Sequence, residues 1–148
     1  MILDLNAIKR SGKTQTTFFF EYDAEIDVAL PETSLVLPVK VQGEAFLIGD
    51  DGAEVEGEIT FTLSGECTRC LEKTEKTFTV EFCENFGKED GYPVINGKID
   101  LSKMVDDIII TNTPVTFLCK DDCKGLCPDC GANLNYGECK CNNKQDGN

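Results

Sequence analysis

The sequence contains no histidine. A chain without imidazole side chains has no Ser-His or Cys-His pair, and it lacks the commonest general base of enzymes. The phosphate-binding loops GxGxxG and Walker A are also absent, as is the GxSxG serine motif. The sequence therefore shows none of the common catalytic signatures, and any zinc site in it must consist almost entirely of cysteine.

Basic residues are scarce. The chain has 14 lysine and arginine residues against 27 aspartate and glutamate residues, which gives a net charge of -13. A chain this acidic repels the phosphates of nucleic acids on average, so any contact with RNA needs a local basic patch. A basic protein is electrostatically the easier partner.

Long apolar runs are absent as well. No window approaches the roughly 18 to 20 apolar residues that span a bilayer. The basic start, MILDLNAIKRSGK, is not followed by the apolar segment of a signal peptide. We therefore expect a cytoplasmic protein with no membrane partner. Because the cytosol is reducing, its nine cysteines need an explanation other than disulfides.

Short alternating apolar runs separated by turn residues indicate the fold. They predict an α+β protein that is mainly an antiparallel β meander or a partly open barrel. The Asp51-Gly52 pair predicts a hairpin, since Asp-Gly supplies the positive φ of tight turns, and Pro38 predicts an edge or bend. Residues 15–30 read as one or two strands, and residues 84–98 as a mobile surface loop. The predicted inner face of EVEGEITFTLSG consists of Val55, Ile59, Phe61 and Leu63.

One helix is predicted near 101–111, with Asp100 or Ser102 as its cap. Its apolar stripe, expected to pack on the sheet, is Leu101, Met104, Val105, Ile108 and Ile109. We divide the chain into a β-rich body (1–118), a cysteine-rich, zinc-ribbon-like metal-binding tail packed on the body (119–141) and a frayed C-terminus (142–148).

Eight of the nine cysteines form four close pairs flanked by polar residues. The pairs are Cys67 and Cys70, Cys119 and Cys123, Cys127 and Cys130, and Cys139 and Cys141. Two pairs supply the four ligands of a tetrahedral zinc ion, so four pairs fit two zinc ions, and all-cysteine sites are structural rather than catalytic. Cys83 stands apart and fits a buried strand position.

The pairing of these cysteines has two solutions. In the first, one zinc ion is bound by Cys127, Cys130, Cys139 and Cys141, as in a short zinc ribbon, and the other by Cys67, Cys70, Cys119 and Cys123. The second site would tie a hairpin to the segment after the helix. The alternative joins Cys119 and Cys123 to Cys127 and Cys130. Iron–sulfur ligation is a further possibility, whereas a redox role is disfavoured because CTRC lies between two strands.

Three blocks of the sequence resemble the YceD-like family of large ribosomal RNA subunit accumulation proteins. They are CTRCL at 67–71, IDLSKMVDDIII at 99–110, and the block from Leu118 through CKGLCPDCGANLN to Cys141. The resemblance implies a role in the synthesis, processing or stabilisation of large-subunit (23S) ribosomal RNA, with no established catalytic activity. It also marks the same eight paired cysteines, whereas Cys83 matches no family position that we recognise.

We therefore expect a non-enzymatic factor that supports accumulation and processing of this RNA and ribosome biogenesis. Its partner would be ribosomal RNA or a pre-ribosomal particle, reached through a basic ribosomal protein or a processing enzyme. Direct RNA contacts, if present, would involve Arg69, Lys73 and Lys76 beside the first pair of cysteines, or Lys120, Lys124 and Lys140 beside the others. The alternatives are a metal- or redox-binding protein and an RNA-processing enzyme with magnesium at Asp106-Asp107 or Asp121-Asp122. Neighbouring helical residues point about 100° apart, so Asp106 and Asp107 make a poor shared site.

Overall fold

The computed structural model describes residues 1–87 and 91–137. Its elements in chain order are β1 (Ile2–Asp4), α1 (Leu5–Arg10), β2 (Gln15–Tyr22), β3 (Thr33–Ile48), β4 (Gly52–Glu66), β5 (Lys73–Phe86), β6 (Lys98–Asp100), α2 (Ser102–Asn112) and a 3-10 helix (Leu134–Tyr136). Strands β2 to β5 form an antiparallel sheet in chain order, and β1 pairs with β6 in a second, two-stranded sheet. In the described residues β2 and β5 are open edges, so the main sheet is a meander and not a closed barrel.

The inner face of the main sheet follows the predicted alternation. The four residues predicted for this face of β4 are each at most 1% exposed, which confirms the prediction for Val55, Ile59, Phe61 and Leu63. The ring of Phe61 stacks on that of Phe78, its partner on β5, with ring centroids 5.3 Å apart. Since a slip of one residue would turn every such side chain to solvent, this buried row fixes the register.

Strand β3 bends where the sequence places Pro38. Its pairing with β4 shifts between Val36 and Lys40, and the Leu37-Pro38 peptide bond is cis. Proline has no N–H to donate to a ladder, and β2 pairs with β3 only as far as Val39. The predicted bend at Pro38 is therefore confirmed.

The sheet carries helix α2 on its inner face. The predicted stripe is confirmed: Leu101, Met104, Val105 and Ile109 are buried in the same core as the sheet, and Ile108 packs against it. The predicted cap differs: the N-cap residue is Leu101, which makes no side-chain capping bond, and Asp100 contributes only by accepting a hydrogen bond at Oδ1 from the backbone N–H of Ser102 at 2.9 Å.

A second helix, α1, was not expected from the sequence. It is only six residues long, too short for a periodic pattern to identify. The side chain of Asp4 caps it by accepting from Ala7 N at 3.0 Å, and Leu5 and Ile8 bury its inner side. The prediction of a single helix was therefore incomplete.

Two local expectations differ from the structure, those for the hairpin turn and for Cys83. The β3–β4 hairpin is present, but its positive φ of 61° belongs to Gly49, while Gly52 already begins β4. Residues 15–30 contribute one strand, β2, which lies within the prediction of one or two strands. Cys83 is exposed on the outer face of β5, so the expectation of a buried position was wrong. Side chains alternate between the two faces of a strand, and on β5 the inward-facing positions are those in step with Phe82. Cys83, the next residue, therefore faces outward.

The segment after β5 is tied to the core in its described part. The ring of Tyr92 is tilted against that of Phe86, with ring centroids 5.4 Å apart, and Val94 also packs against the core. In the described residues no helix is long and apolar enough to cross a membrane. The chain then passes through α2 and returns to the end of the sheet where β4 turns into β5.

Candidate metal centre

Cys67 and Cys70 lie in the turn between β4 and β5, as predicted. Cys119 and Cys123 come from the segment after α2, which returns to this end of the sheet. A backbone hydrogen bond from Thr68 N to the carbonyl of Phe117 holds that segment in place at 2.7 Å. The turn and the returning segment therefore meet through backbone contacts, independently of the four sulfurs.

The four sulfur atoms all lie within 4.8 Å of one another. Cys67 Sγ is 3.6 Å from Cys123 Sγ, and Cys70 Sγ is 3.6 Å from Cys119 Sγ. Each of these two contacts joins the hairpin turn to the returning segment. We term these residues the four-cysteine cluster.

The cluster is buried. Cys67 is 0% exposed, and Cys70 and Cys123 are each 3% exposed. Partly buried apolar side chains, Leu118 and Leu126, pack around it. Its sulfurs are reduced, as none of the four is in a disulfide. Cys119, the fourth member, is half-buried, so three of the four thiols are shielded from solvent and the fourth is partly accessible.

The thiols of the cluster differ in acidity. Burial raises the pKa of Cys70, and it raises that of Cys119 to about 12, where neighbouring cysteine side chains add to the effect. Burial also acts on Cys67, but three backbone N–H groups outweigh it and lower the pKa to about 6. A hydrogen bond from Asn135 lowers the pKa of Cys123. Four thiolates this close together repel one another, so all four can ionise only beside a cation.

Arg69 supports the cluster from the turn. Its Nη1 donates to the backbone carbonyl of Cys123 at 3.0 Å, which links the two segments a second time. One N–H of the guanidinium is thus committed to the fold, although Arg69 itself is exposed at the surface. Lys73 lies directly across the strand pair from Glu66.

Two CxxC turns of the chain have the same backbone structure. We term residues 67–72 the first knuckle and residues 127–132 the second knuckle. In both knuckles, the N–H of the fifth residue donates to the carbonyl of the first residue at 2.9 Å. The N–H of the first residue donates to the carbonyl of the sixth residue, at 2.9 Å in the first knuckle and at 2.8 Å in the second. The fifth residue has a positive φ in each, 62° at Leu71 and 76° at Gly131. Cys127 and Cys130 are thus held by a turn of the same type as the one that holds Cys67 and Cys70.

The eight predicted cysteines are placed as follows. Four meet in the four-cysteine cluster: Cys67, Cys70, Cys119 and Cys123. Cys127 is buried and Cys130 is exposed in the second knuckle. Cys139 and Cys141 lie outside the described residues. Within the described residues, Cys119 and Cys123 are grouped with the first knuckle and not with the second.

Three supporting residues near the cluster were not found from the sequence. Asn135 Nδ2 donates to Cys123 Sγ at 3.3 Å, and the hydroxyl of Tyr136 donates to both carboxylate oxygens of Glu72, at 2.7 Å and 2.9 Å. The Asn-Leu-Asn spacing at 133–135 is typical of a turn, since Asn133 Oδ1 accepts from Asn135 N at 2.9 Å. That signal indicates the turn but does not reveal which sulfur Asn135 contacts.

The paired aspartates on α2 point to different partners. Asp106 accepts from the hydroxyl of Tyr22 at 3.2 Å, and Asp107 accepts from the hydroxyl of Tyr92 at 3.0 Å. Asp107 also pairs with Lys103 at 3.2 Å. Each carboxylate is used within the fold, which agrees with the expectation that the pair makes a poor shared metal site.

The outer face of the main sheet is acidic. Glu44 lies opposite Glu56 on neighbouring strands, and Glu58 lies opposite Glu81. With Glu54, next along β4, these residues form what we term the acidic face. None of the five takes part in a salt bridge with another described residue. Like charges directly opposed across strands are destabilising, so this concentration of charge works against the stability of the sheet.

The acidic face borders a shallow concavity of about 720 Å³ that also includes Cys83. Partial desolvation and the charges of Glu54 and Glu56 raise the pKa of the Cys83 thiol. A thiol that is held protonated by carboxylates is a poor nucleophile and a poor metal ligand. The face is therefore a surface of fixed negative charge.

Comparisons with known proteins agree with the cysteine blocks. Residues 55–147 match the model of the family described as "Large ribosomal RNA subunit accumulation protein YceD". An uncharacterized protein of Mycobacterium tuberculosis is 30% identical over 95 residues, covering 57% of this chain and 46% of that protein. The chain thus spans about half the length of this mycobacterial relative.

Two plant proteins are similar over a shorter stretch. Both are named as chloroplastic homologs, number 1, of the large ribosomal RNA subunit accumulation protein YCED. The one from Arabidopsis thaliana is 40% identical over 48 residues, covering 32% of this chain and 15% of that protein. The one from Zea mays is 41% identical over 51 residues, covering 34% and 17%. No solved structure matches the chain. Because the family match extends over more than half of its length, the chain belongs to the YceD family of large ribosomal RNA subunit accumulation proteins.

Proposed function

We propose that the four-cysteine cluster binds one zinc ion with a structural role. The observation that carries this proposal is the convergence of four sulfurs from two distant segments within 4.8 Å. In a tetrahedral site with Zn–S distances of about 2.3 Å, the sulfurs are about 3.8 Å apart. The two contacts of 3.6 Å are close to that spacing.

The donor set also favours a structural ion over a catalytic or redox centre. Four thiolates fill the coordination shell of zinc and leave no position for water or substrate. A redox cysteine must be reachable by its partner, whereas Cys67, Cys70 and Cys123 are each at most 3% exposed. The zinc would hold the returning segment against the β4–β5 turn and add its binding free energy to folding.

A second zinc ion is part of the proposal. Its ligands would be Cys127, Cys130, Cys139 and Cys141. Support comes from the second knuckle, which has the hydrogen bonds and positive φ of the first. Nothing in the described residues bears on Cys139 and Cys141, so their part in the proposal rests on the sequence spacing.

We infer that the protein is a non-enzymatic cytoplasmic factor that promotes accumulation and processing of large-subunit ribosomal RNA. Membership of the family supports a role in accumulation of this RNA. The proposed zinc sites have no open position for a substrate, which supports a role without catalysis. The acidic face indicates how the protein would reach its target. Glutamates that lack salt-bridge partners repel RNA phosphates but attract a lysine- and arginine-rich ribosomal protein or processing enzyme.

A deletion strain of the source organism tests this function. Wild-type protein should restore the ratio of large-subunit to small-subunit ribosomal RNA. The double variant Cys67→Ser/Cys123→Ser should not, because the returning segment would lose its anchor. Cys83→Ser, a cysteine outside the cluster, is the matched control and should restore the ratio. An unchanged ratio in the deletion strain would contradict the proposed function, and full restoration by the double variant would contradict a role for the cluster in it.

A further inference from the structure

The side chain of Asn135 makes three hydrogen bonds beside the four-cysteine cluster. Its Nδ2 donates to Cys123 Sγ at 3.3 Å and to Asn133 Oδ1 at 2.9 Å, and its Oδ1 accepts from Lys124 N at 2.9 Å. Both N–H groups of the amide are therefore used, and so is the oxygen. Because the backbone N–H of Lys124 can only donate, it fixes which end of the amide is the oxygen and turns the NH₂ group towards the sulfur.

The two chain neighbours of Asn135 hold it in this position. Leu134 N donates to the carbonyl of Gly125 at 2.9 Å, which joins the 3-10 helix to the returning segment. The hydroxyl of Tyr136 donates to the carboxylate of Glu72, at 2.7 Å and 2.9 Å. One neighbour is thus attached to the returning segment and the other to the β4–β5 turn, and these two attachments place the amide at the cluster.

The cluster needs hydrogen-bond donors when it holds a metal ion. Four thiolates and one zinc ion together carry a net charge of about −2, and three of the four thiols are at most 3% exposed. Buried charge is costly unless it is hydrogen-bonded. Backbone N–H groups supply part of this compensation, three of them at Cys67 and that of Gly125 at Cys123. Asn135 adds a donor from a side chain, which a substitution can remove.

Granted the zinc ion proposed for the four-cysteine cluster, we propose that Asn135 is a positioning residue that raises the affinity of the cluster for its metal. Its N–H donor withdraws negative charge from the Cys123 sulfur and fixes the direction of the sulfur lone pairs. Its Oδ1 holds the backbone of Lys124, the residue that follows this ligand. Loss of such a partner of a metal ligand commonly lowers metal affinity by about 10- to 100-fold.

Two substitutions separate a donor to the sulfur from a merely structural role. Asn135→Ala removes all three hydrogen bonds of the side chain. Asn135→Asp keeps an oxygen that accepts from Lys124 N, but it places negative charge where the N–H donor met the sulfur. A donor role predicts weaker metal binding in Asn135→Asp than in Asn135→Ala, because the carboxylate repels the thiolate. A merely structural role predicts the opposite order, since aspartate retains the contact with Lys124.

Cadmium-113 NMR of the reduced full-length chain measures these affinities. Cadmium is a soft ion that thiolates bind tightly, and each bound ion gives its own signal. The signal of the cluster is the one that is absent from Cys67→Ser/Cys123→Ser. The affinity, measured by the loss of this signal as a chelator is added, should fall about 10- to 100-fold in Asn135→Ala and further in Asn135→Asp. Asn85→Ala, at the far end of β5, is the matched control and should match the wild type.

The chemical shift of the cluster signal provides a second readout. It should change in both Asn135 variants, because the charge on the Cys123 sulfur changes, and it should stay constant in Asn85→Ala. Wild-type affinity and an unchanged shift in both Asn135 variants would overturn the role of Asn135 while leaving the metal site intact. Tighter binding in Asn135→Asp than in Asn135→Ala would also overturn it. Absence of the cluster signal from the wild type would overturn the proposed site itself.

Discussion

At the residue scale, the two knuckles build the same turn from different residues. Gly131 accommodates the positive φ of the second knuckle without strain, whereas Leu71 holds φ at 62° in the first. A side chain in this left-handed region costs about 1–2 kcal/mol. Leu71 is 57% exposed, so little apolar burial offsets the cost.

Leu71→Gly should therefore stabilise the protein. After allowing for the greater entropy of glycine in the unfolded chain, about 0.5–1 kcal/mol, we expect the free energy of unfolding to rise by about 0.5–1 kcal/mol. Urea denaturation at a fixed excess of zinc measures the change. Leu71→Ala keeps the Cβ and hence the strain, so it should show no such gain. A glycine variant less stable than the alanine variant would contradict this account of the turn.

The contact between Tyr92 and Asp107 should make stability depend on alkaline pH. Burial, the hydrogen bond to Asp107 and the nearby negative charges raise the pKa of Tyr92 to about 12, above its ordinary value of about 10. The folded protein then retains the phenol proton more strongly than the unfolded chain, so this stabilisation is full below pH 10 and is lost as the pH rises to 12.

Comparison of wild type with Tyr92→Phe by urea denaturation at several pH values isolates this contribution. The wild type should be more stable at pH 9, and its advantage should shrink through pH 11. An advantage that stays constant over this range would show that Tyr92 titrates alike in the folded and unfolded states.

At the element scale, two glycines face each other across β3 and β4 and leave no room for a side chain. Gly43 pairs with Gly57, and Phe18 and Phe82 lie on either side of them in the same row across the sheet. A Cβ added to Gly57 would overlap the carbonyl oxygen of Gln42. The backbone occupies the space that a side chain would need.

Gly57→Ala should therefore destabilise the sheet towards the upper end of the roughly 1–3 kcal/mol that overpacking costs. Gly49→Ala is the matched control: its Cβ would meet nothing within 4 Å, and only its φ of 61° is unfavourable, at about 1 kcal/mol. Equal losses in the two variants, measured by urea denaturation, would contradict the close approach.

The segment from 113 to 137 should depend on metal more than the sheet does. Its helical content is one 3-10 turn, whereas β3, β4 and α2 share a continuous apolar core. A strong chelator should therefore speed backbone hydrogen exchange in this segment and leave that of β3 and β4 nearly unchanged. Hydrogen exchange measured by mass spectrometry with and without chelator tests this prediction. Faster exchange throughout the protein, or no change anywhere, would contradict a structural role for the metal in this segment.

The elements that could be predicted from the sequence are those in which apolar residues recur at the period of a strand or a helix. The alternation in β4 and the stripe of α2 follow directly from the periods of strand and helix. Helix α1 has too few residues to show a period, and it depends on Asp4 as a cap and on burial of Leu5 against distant parts of the chain. Cys83 was misplaced because its residue type suggests burial, while the parity of its strand turns it to the outer face.

The candidate site was predictable in its residue types and spacing but not in its surroundings. The close pairs of cysteines indicated zinc ligands, because the geometry of a knuckle is local. The contacts of Arg69, Asn135 and Tyr136 join segments 54, 12 and 64 residues apart. Such contacts arise from tertiary structure, and nothing in the local pattern specifies them.

At the scale of the whole molecule, the acidic face and the four-cysteine cluster lie at different places. The four-cysteine cluster is at the end of the sheet where β4 turns into β5, whereas the acidic face lies on the outer surface near the other end of these strands. This separation allows the two features to be altered independently.

Neutralising the acidic face should reduce binding of basic partners. Glu56→Gln/Glu58→Gln/Glu81→Gln should lower recovery of basic ribosomal proteins from lysate at low salt, and the difference should shrink at moderate salt because of screening. The control Asp23→Asn/Glu25→Gln/Asp27→Asn makes the same charge change in an exposed loop and should leave recovery unchanged. Recovery of naked RNA without proteins would contradict a protein partner.

The metal content of the purified chain tests the central claim most directly. Elemental analysis should give two zinc ions per chain for the wild type, one for Cys67→Ser/Cys123→Ser and two for Cys83→Ser. Far less than one zinc ion per wild-type chain, or a zinc content that the cluster variant does not lower, would contradict the assignment of the four-cysteine cluster as a structural zinc site.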